Sequence, residues 1–338
     1  GEALFLRAWC YGQMLRTYGG LPIMSEPWEI GGDYLAINRG TFEETVNFIV
    51  NDCHAAAGLL KSKSAMESGR ATKAAALALK SRILLFAASD LTADGTAESE
   101  YVGYKNPNRT QLWTAAKNAA KEVIDLGENR LSDFGAPDKD AVANKYFELF
   151  KETTLENPEI IWGKMFVADV GDRHRNNRQN GPNGLGCYGS NNPTQSMINS
   201  YQMEDGSDFF DHFYIDENNN IKNRGNTKYQ NENPYLNREP RFYGSVLSDS
   251  SIWQQRFPDL APMDPLGIYS RRTIINMQGG SAVSTTFGLD TRNGPIESWN
   301  ASYTGYIVKK MMDDKIDRNA YNTNIWIYFR YAEIILNY

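Results

Sequence analysis

Apolar positions recur at helical spacing through the first third of the chain. Thr41-Phe-Glu-Glu44 reads as a capping box, in which the Thr41 hydroxyl accepts from the first turn while Glu44 reaches back. Behind it Phe42, Val46, Ile49, Cys53, Ala56 and Leu60 form one stripe. From Ala71 the positions Ala74, Ala75, Ala78, Leu79, Arg82, Leu85 and Phe86 line a second face, small at its start and large at its end. A third, Ala-rich stripe runs from Ala115 to Ile124 after Thr110. Small residues at a crossing let two helix axes approach closely, so the pattern predicts antiparallel helical hairpins.

Beyond residue 128 the pattern changes. Gly, Pro and Asn become dense, and strands such as Ile160 to Phe166 or Phe242 to Leu247 are only a few residues long. The run 171–192, with six Asn and five Gly, cannot hold a long regular element. Long irregular stretches of this kind in compact proteins serve as functional loops or are disordered. At the end of the chain Ile327, Tyr331, Ile334 and Tyr338 share the spacing of one helix face, which predicts a helix from Ile325 with Arg330 and Glu333 close enough to pair along it. No C-cap glycine or closing proline follows Tyr338, and Gly1 begins directly in helical pattern. The chain therefore reads as the interior of a longer polypeptide.

Three regions follow: a helical-hairpin scaffold over 1–128, an irregular region over 129–324, and the start of closing helices over 325–338. The expected fold class is mostly α. At 338 residues the chain exceeds the length at which one core usually stops growing, so two lobes are expected.

Charge removes several function classes. With 35 Lys and Arg against 41 Asp and Glu, and no basic cluster, nucleic acid and anionic membrane surfaces are disfavoured partners. No apolar run approaches the ~20 residues of a membrane span. Cys10, Cys53 and Cys187 show no metal-ligand spacing; Cys10 and Cys53 fall on apolar faces of predicted helices, where they read as small buried hydrophobes or as partners in a bridge. His54, His174 and His212 lie far apart, so neither a metal nor a cofactor is expected. Glu204, Asp205, Asp208 and Asp211 are the candidates for an acid and base pair, but Glu204-Asp205-Gly206 reads better as a turn, and nothing in it raises a carboxyl pKa. Catalysis is not expected.

Binding suits the irregular region. Tyr, at 19 residues, outnumbers Phe at 15, and Tyr can keep one end wet. A glycan offers apolar C–H faces flanked by hydroxyls, so its site needs flat aromatic rings beside amides or charged groups. Candidates for such a site are Tyr101, His174, Tyr188 with Asn191, Trp253, and Trp299 with Asn300 and Tyr303, each of which could instead plug the scaffold. Trp28 and Tyr34 are alternatives. Trp162 and Trp326 read as core.

Helix pairs of this kind resemble tetratricopeptide (TPR) repeats, without a strict repeat consensus. A wider resemblance covers nearly the whole chain. Gly1-Glu-Ala-Leu-Phe-Leu-Arg7 leading to Tyr18-Gly-Gly-Leu-Pro22, Gly69-Arg-Ala-Thr-Lys73, Asn157-Pro-Glu-Ile-Ile-Trp162, Pro193 to Gly206, Asn237-Arg-Glu-Pro-Arg-Phe-Tyr243, Thr304-Gly-Tyr306 with Lys309, and Arg330 to Tyr338 are similar, in order, to segments of the SusD/RagB family. Glu239 stands where that family more often has Asp. The resemblance implies a TPR-like scaffold with an irregular ligand-facing insertion. It implies a lipoprotein on the extracellular face of the outer membrane of Bacteroidetes that captures oligosaccharides in polysaccharide utilisation. Delivery would be to a SusC-like TonB-dependent transporter, with a lipid anchor lying outside this chain. A RagB-like peptide binder and a glycan-degrading enzyme on a helical scaffold are the alternatives. Arg7, Arg82, Arg238, Arg241 and Arg330 lie in the matching segments and are expected to pair with carboxylates such as Glu333 or to cap carbonyls.

Overall fold

The computed structural model describes all residues except 28, 136, 226–227, 231–232, 259–260, 270–272 and 279–280. In chain order its α-helices are α1 (Glu2–Tyr18), α2 (Phe42–Leu59), α3 (Lys73–Ala88), α4 (Asp90–Ala93), α5 (Arg109–Asp125), α6 (Lys139–Leu149), α7 (Asn176–Asn180), α8 (Gln195–Asn199), α9 (Pro240–Ser245) and α10 (Tyr331–Asn337). The strands are β1 (Ile160–Lys164), β2 (Phe213–Ile215), β3 (Ile221–Asn223), β4 (Val246–Leu247), β5 (Thr273–Gln278), β6 (Ser281–Phe287), β7 (Ile307–Val308) and β8 (Trp326–Arg330). They form antiparallel pairs, β1 with β8, β2 with β3, β4 with β7 and β5 with β6. The fold is therefore helix-dominated with few short strands, as the periodicity predicts. No helix among the described residues is long and apolar enough to cross a membrane.

Contacts divide the chain into two compact units: 1–132 with 154–165 and 326–338, and 133–153 with 166–325. In the first unit α1, α2, α3 and α5 pack as successive neighbours. The capping box at Thr41 is formed in full, with the Glu44 amide 3.1 Å from the Thr41 hydroxyl and the Glu44 carboxylate 2.7 Å from the Thr41 amide. Thr72, not Ala71, caps α3, accepting from the Ala75 amide at 3.2 Å. Ala74 through Ala78 are all buried, because α3 is the middle helix and has neighbours on two sides. Charged side chains tie the layers. Arg7 on α1 holds Asp52 on α2 through two bonds of 2.7 and 2.8 Å. Arg82 on α3 holds Glu333 on α10 and lies 4.0 Å above the Phe329 ring. Both fulfil the expected structural role of these arginines, and the bidentate geometry is the one guanidinium favours.

The end of the chain differs from the expected single helix. Trp326–Arg330 is extended and pairs with Ile160–Lys164, and the helix begins only at Tyr331. Pairing with a strand remote in sequence outweighs a local period that both states satisfy. Arg330 consequently pairs with Glu159 rather than with Glu333. Trp162 is packed edge-on against Phe5 and Trp9, as core, whereas Trp326 is 41% exposed and does not join it. Segment 154–165, expected in the irregular region, lies in the first unit by virtue of β1.

In the second unit Phe242 to Leu247, expected as a strand, is mostly the helix α9. Pro240 occupies its first turn, where a missing N–H costs nothing. Arg238 is fully buried and, among the described residues, forms no ion pair with a carboxylate. Its guanidinium donates to the carbonyls of Ile198 and Tyr201 at 2.7 and 2.6 Å and lies 4.1 Å from the Phe209 ring. Arg256, also buried, is held by Asp264 at 2.7 Å and by Asp290 at 2.6 and 3.0 Å. Cys53 and Cys187 are buried free thiols, each pushed up to about 12 by burial. Cys10, expected on a buried face, is exposed.

Candidate functional site

The asparagine-rich run folds back on itself. The Tyr188 amide donates to the Arg178 carbonyl at 2.8 Å, Gly189 to Gly181 at 3.1 Å and Ser190 to Gln179 at 2.9 Å. Most of its amides bind other loops. Asn177 donates to the carbonyls of Asp313 and Ile316 and accepts from Asn322, and Asn191 donates to Asn180 at 2.7 Å, which in turn donates to Asn176 at 2.6 Å. Asn183 reaches the Ile296 carbonyl at 2.8 Å, and the Gly184 amide reaches the buried Asp290 at 3.1 Å. Residues 176–192 thus include only α7 and a 3₁₀ turn as regular structure, yet their hydrogen bonds are made.

This fold-back meets the loop of 297–303. Gly189 adopts φ +52°, and a Cβ there would lie 2.5 Å from the Asn300 carbonyl oxygen. The Asn192 side chain accepts from the Tyr303 amide at 2.7 Å and donates to the Gly189 carbonyl at 2.7 Å. The two segments in contact carry three exposed rings, Tyr188, Trp299 and Tyr303, 38, 71 and 79% exposed. Trp299 and Tyr303 spend little area on the core, which leaves the faces of the Trp299 ring open for stacking. Around them stand guanidinium groups: Arg178 is 5.2 Å from the Tyr188 ring with Nε donating to its hydroxyl at 3.1 Å, and Arg292 is 4.2 Å from the Tyr303 ring. Further along, Arg173 and Arg175 each lie 4.5 Å from the Tyr321 ring, and Arg175 donates to its hydroxyl. That hydrogen bond, with the charges of Arg175, Arg173 and Arg178, lowers the Tyr321 phenol from its ordinary value.

Of the residues that the sequence singles out, Tyr188 with Asn191 and Trp299 with Asn300 and Tyr303 lie on these two segments. His174, Trp253 and Tyr101 are engaged elsewhere. The His174 Nε2 donates to the Asn324 carbonyl at 3.1 Å and its ring packs 4.6 Å from Phe166. Trp253 is half-buried against Leu247, Tyr269, Ile307 and Met312, with Phe147 6.0 Å away. The loop after it lines a cleft of about 260 Å³ with Leu185, Phe257 and Arg318. Tyr101 belongs to the first unit, where Arg39 lies 5.0 Å from its ring. Trp28 lies outside the described residues, and Tyr34 opens a 3₁₀ turn. Sequence reasoning missed Arg178, Arg292 and Tyr321, because Tyr321 and Arg175 stand 146 residues apart and no local pattern joins them.

In the acidic cluster the Glu204 and Asp205 carboxyls are lowered, not raised. The Glu204 carboxyl is held below the usual carboxylate range by Lys228 and Lys139, and that of Asp205 by the Ser207 hydroxyl and amide. A general acid needs the opposite shift. Among the described residues no three His, Cys, Asp or Glu side chains converge as metal ligands would.

Comparison with known proteins agrees with this architecture. No curated protein matches the chain. Among solved structures, a SusD-like protein from Bacteroides fragilis is 25% identical with a TM-score of 0.63, over 100% of this chain and 56% of that one. A SusD-like carbohydrate-binding protein from the same species is 20% identical with a TM-score of 0.66, over 99% of this chain and 53% of that one. A protein solved with a xylogluco-oligosaccharide is 17% identical with a TM-score of 0.56, over 99% and 52%. The last two show the fold alone, and this chain spans little more than half the length of all three. A sequence model described as starch-binding associating with outer membrane matches residues 1–85. The model of the SusD family matches 158–338, more than half of the chain and including both loops that carry the aromatic surface, so the chain belongs to the SusD family.

Proposed function

We propose that this chain is part of a cell-surface glycan-binding lipoprotein. It captures oligosaccharides at the extracellular face of the outer membrane and delivers them to a SusC-like TonB-dependent transporter. The observation that carries the reading is the exposed set of Tyr188, Trp299 and Tyr303 on loops locked together at Gly189 and Asn192. Rings held on a prepared backbone stack on the C–H faces of a sugar at little ordering cost. The description of the model matching residues 1–85, starch-binding associating with outer membrane, and the sugar ligand named for a protein of the same fold support it. No bond is made or broken in such a cycle. Affinity stays moderate, because a ligand held too tightly would not be passed on.

Calorimetric titration against hits from a glycan array tests the reading. A stacked ring contributes about 0.5 to 1.5 kcal/mol beyond area burial, by analogy with aromatic pairs. Trp299→Ala is therefore expected to weaken binding about tenfold, with a smaller loss for Tyr188→Ala. Parent-like binding by both variants, with the fold intact, would move the site elsewhere. Co-purification of the full-length protein with an outer-membrane barrel tests the partner.

A further inference from the structure

The amides of the candidate surface are already used. Asn191 donates to Asn180, Asn192 to the Gly189 carbonyl and Asn300 to Glu297. Neutral sugar hydroxyls are usually met by such groups, which both donate and accept. What remains facing outward is guanidinium. Among the described residues no carboxylate lies within ion-pair distance of Arg175, Arg178 or Arg292, although the chain as a whole carries a formal net charge of -6. Each of these arginines is instead laid against a tyrosine ring. The ring fixes the plane of the guanidinium while leaving N–H groups unpaired. Arg175 and Arg178 are close to each other, and Arg292 lies against Tyr303, whose amide donates to Asn192 on their segment. The Arg178 charge reaches Tyr321, on which Arg175 lies, while Arg178 also bonds Tyr188, one residue from the contact of Gly189 with Asn300. Glu297, a carboxylate of the 297–303 loop, accepts from the Asn300 side chain at 3.0 Å.

We infer that the ligand of this surface is an acidic oligosaccharide, its uronate or sulfate groups taken by Arg175, Arg178 and Arg292 while its ring faces lie on Tyr188, Trp299 and Tyr303. The inference rests on the glycan-binding reading and adds the charge of the ligand. Uronate and sulfate share the planar or trigonal set of oxygens that a guanidinium binds through paired, charge-assisted hydrogen bonds.

The full-length protein is titrated with three probes: an oligogalacturonate, a heparin-derived oligosaccharide and a neutral malto-oligosaccharide. An acidic probe is expected to bind, its affinity falling as salt rises. Arg175→Gln and Arg178→Gln are expected to weaken it by about tenfold each, the factor of a lost charge-assisted hydrogen bond. Which acidic probe binds separates carboxylate from sulfate. Tight binding of the neutral probe that Trp299→Ala abolishes and the Arg→Gln variants leave unchanged would overturn the charge assignment and leave the glycan site standing. Acidic binding that survives both Arg→Gln variants would also overturn it. If no probe, nor any glycan of a wide array, binds protein with an unchanged circular dichroism spectrum, the glycan reading falls and this inference with it.

Discussion

Gly189 lies directly beneath the carbonyl of Asn300, so close that a Cβ at position 189 would sit 2.5 Å from that oxygen. Its φ of +52° is one that L side chains rarely adopt. Gly189→Val is expected to cost about 1 to 2 kcal/mol from the backbone conformation alone, and more from the clash. Because the clash pushes the two loops apart, glycan affinity should fall more than the Trp299→Ala loss. Urea denaturation with parallel titration checks both. Unchanged binding would show that the loops are ligand-competent without this contact.

The helix crossing around α3 is the second test. Ala75 and Ala78 are fully buried between the neighbouring helices. Ala75→Leu or Ala78→Leu should overpack it and cost about 1 to 3 kcal/mol. Trp299→Ala, on an exposed ring, should stay within about 0.5 kcal/mol of the parent. Thermal unfolding that ranks them the other way would place stability in the loops.

In the second unit Arg256 anchors Asp264 and Asp290, and Asp290 in turn accepts from the Gly184 amide. Arg256→Met leaves two carboxylates buried without their cation and should cost about 3 to 5 kcal/mol. Burial alone would raise the Asp264 carboxyl, but hydrogen bonds from Arg256 and from the Ile268 amide outweigh it and hold it below its ordinary 3.8. A depressed carboxyl stabilises the fold above its unfolded value, and the contribution is lost as pH falls through the folded one. Acid titration of stability should show this loss below the ordinary carboxylate range in the parent and a smaller one in Arg256→Met. A parallel pair of curves would exclude Asp264 as its source.

Hydrolysis is the fourth test. The full-length protein should release no reducing ends from any glycan that it binds, because the Glu204 and Asp205 carboxyls are both lowered. Sugar release abolished by Glu204→Gln would contradict this.

How far these features can be read from the chain depends on the range of the interactions behind them. The Thr41 capping box and the stripe from Phe42 to Leu60 are local, and both form as the spacing predicts. Ile327, Tyr331 and Ile334 satisfied a helical period as well, but β8 is decided by Ile160–Lys164, far away in sequence. The site divides in the same way. Tyr188 and Trp299 are visible as rings among turn residues, whereas Arg178 and Arg292 gain meaning only from the tyrosines they meet in space. The dense asparagines read only as an irregular run; in the structure many of them cross-link loops, as with Asn177 and Asn322.

The pairing of β1 with β8 sets Lys164 opposite Trp326, so the residues between them leave and rejoin the helical unit at adjacent points. Their entry and exit are fixed by a short ladder, whatever length of chain runs between. Since loop-closure entropy rises only with the logarithm of that length, insertions or deletions in the intervening loops carry little thermodynamic penalty for the helices. A lineage could therefore exchange one set of intervening loops for another without redesigning the frame that bears them.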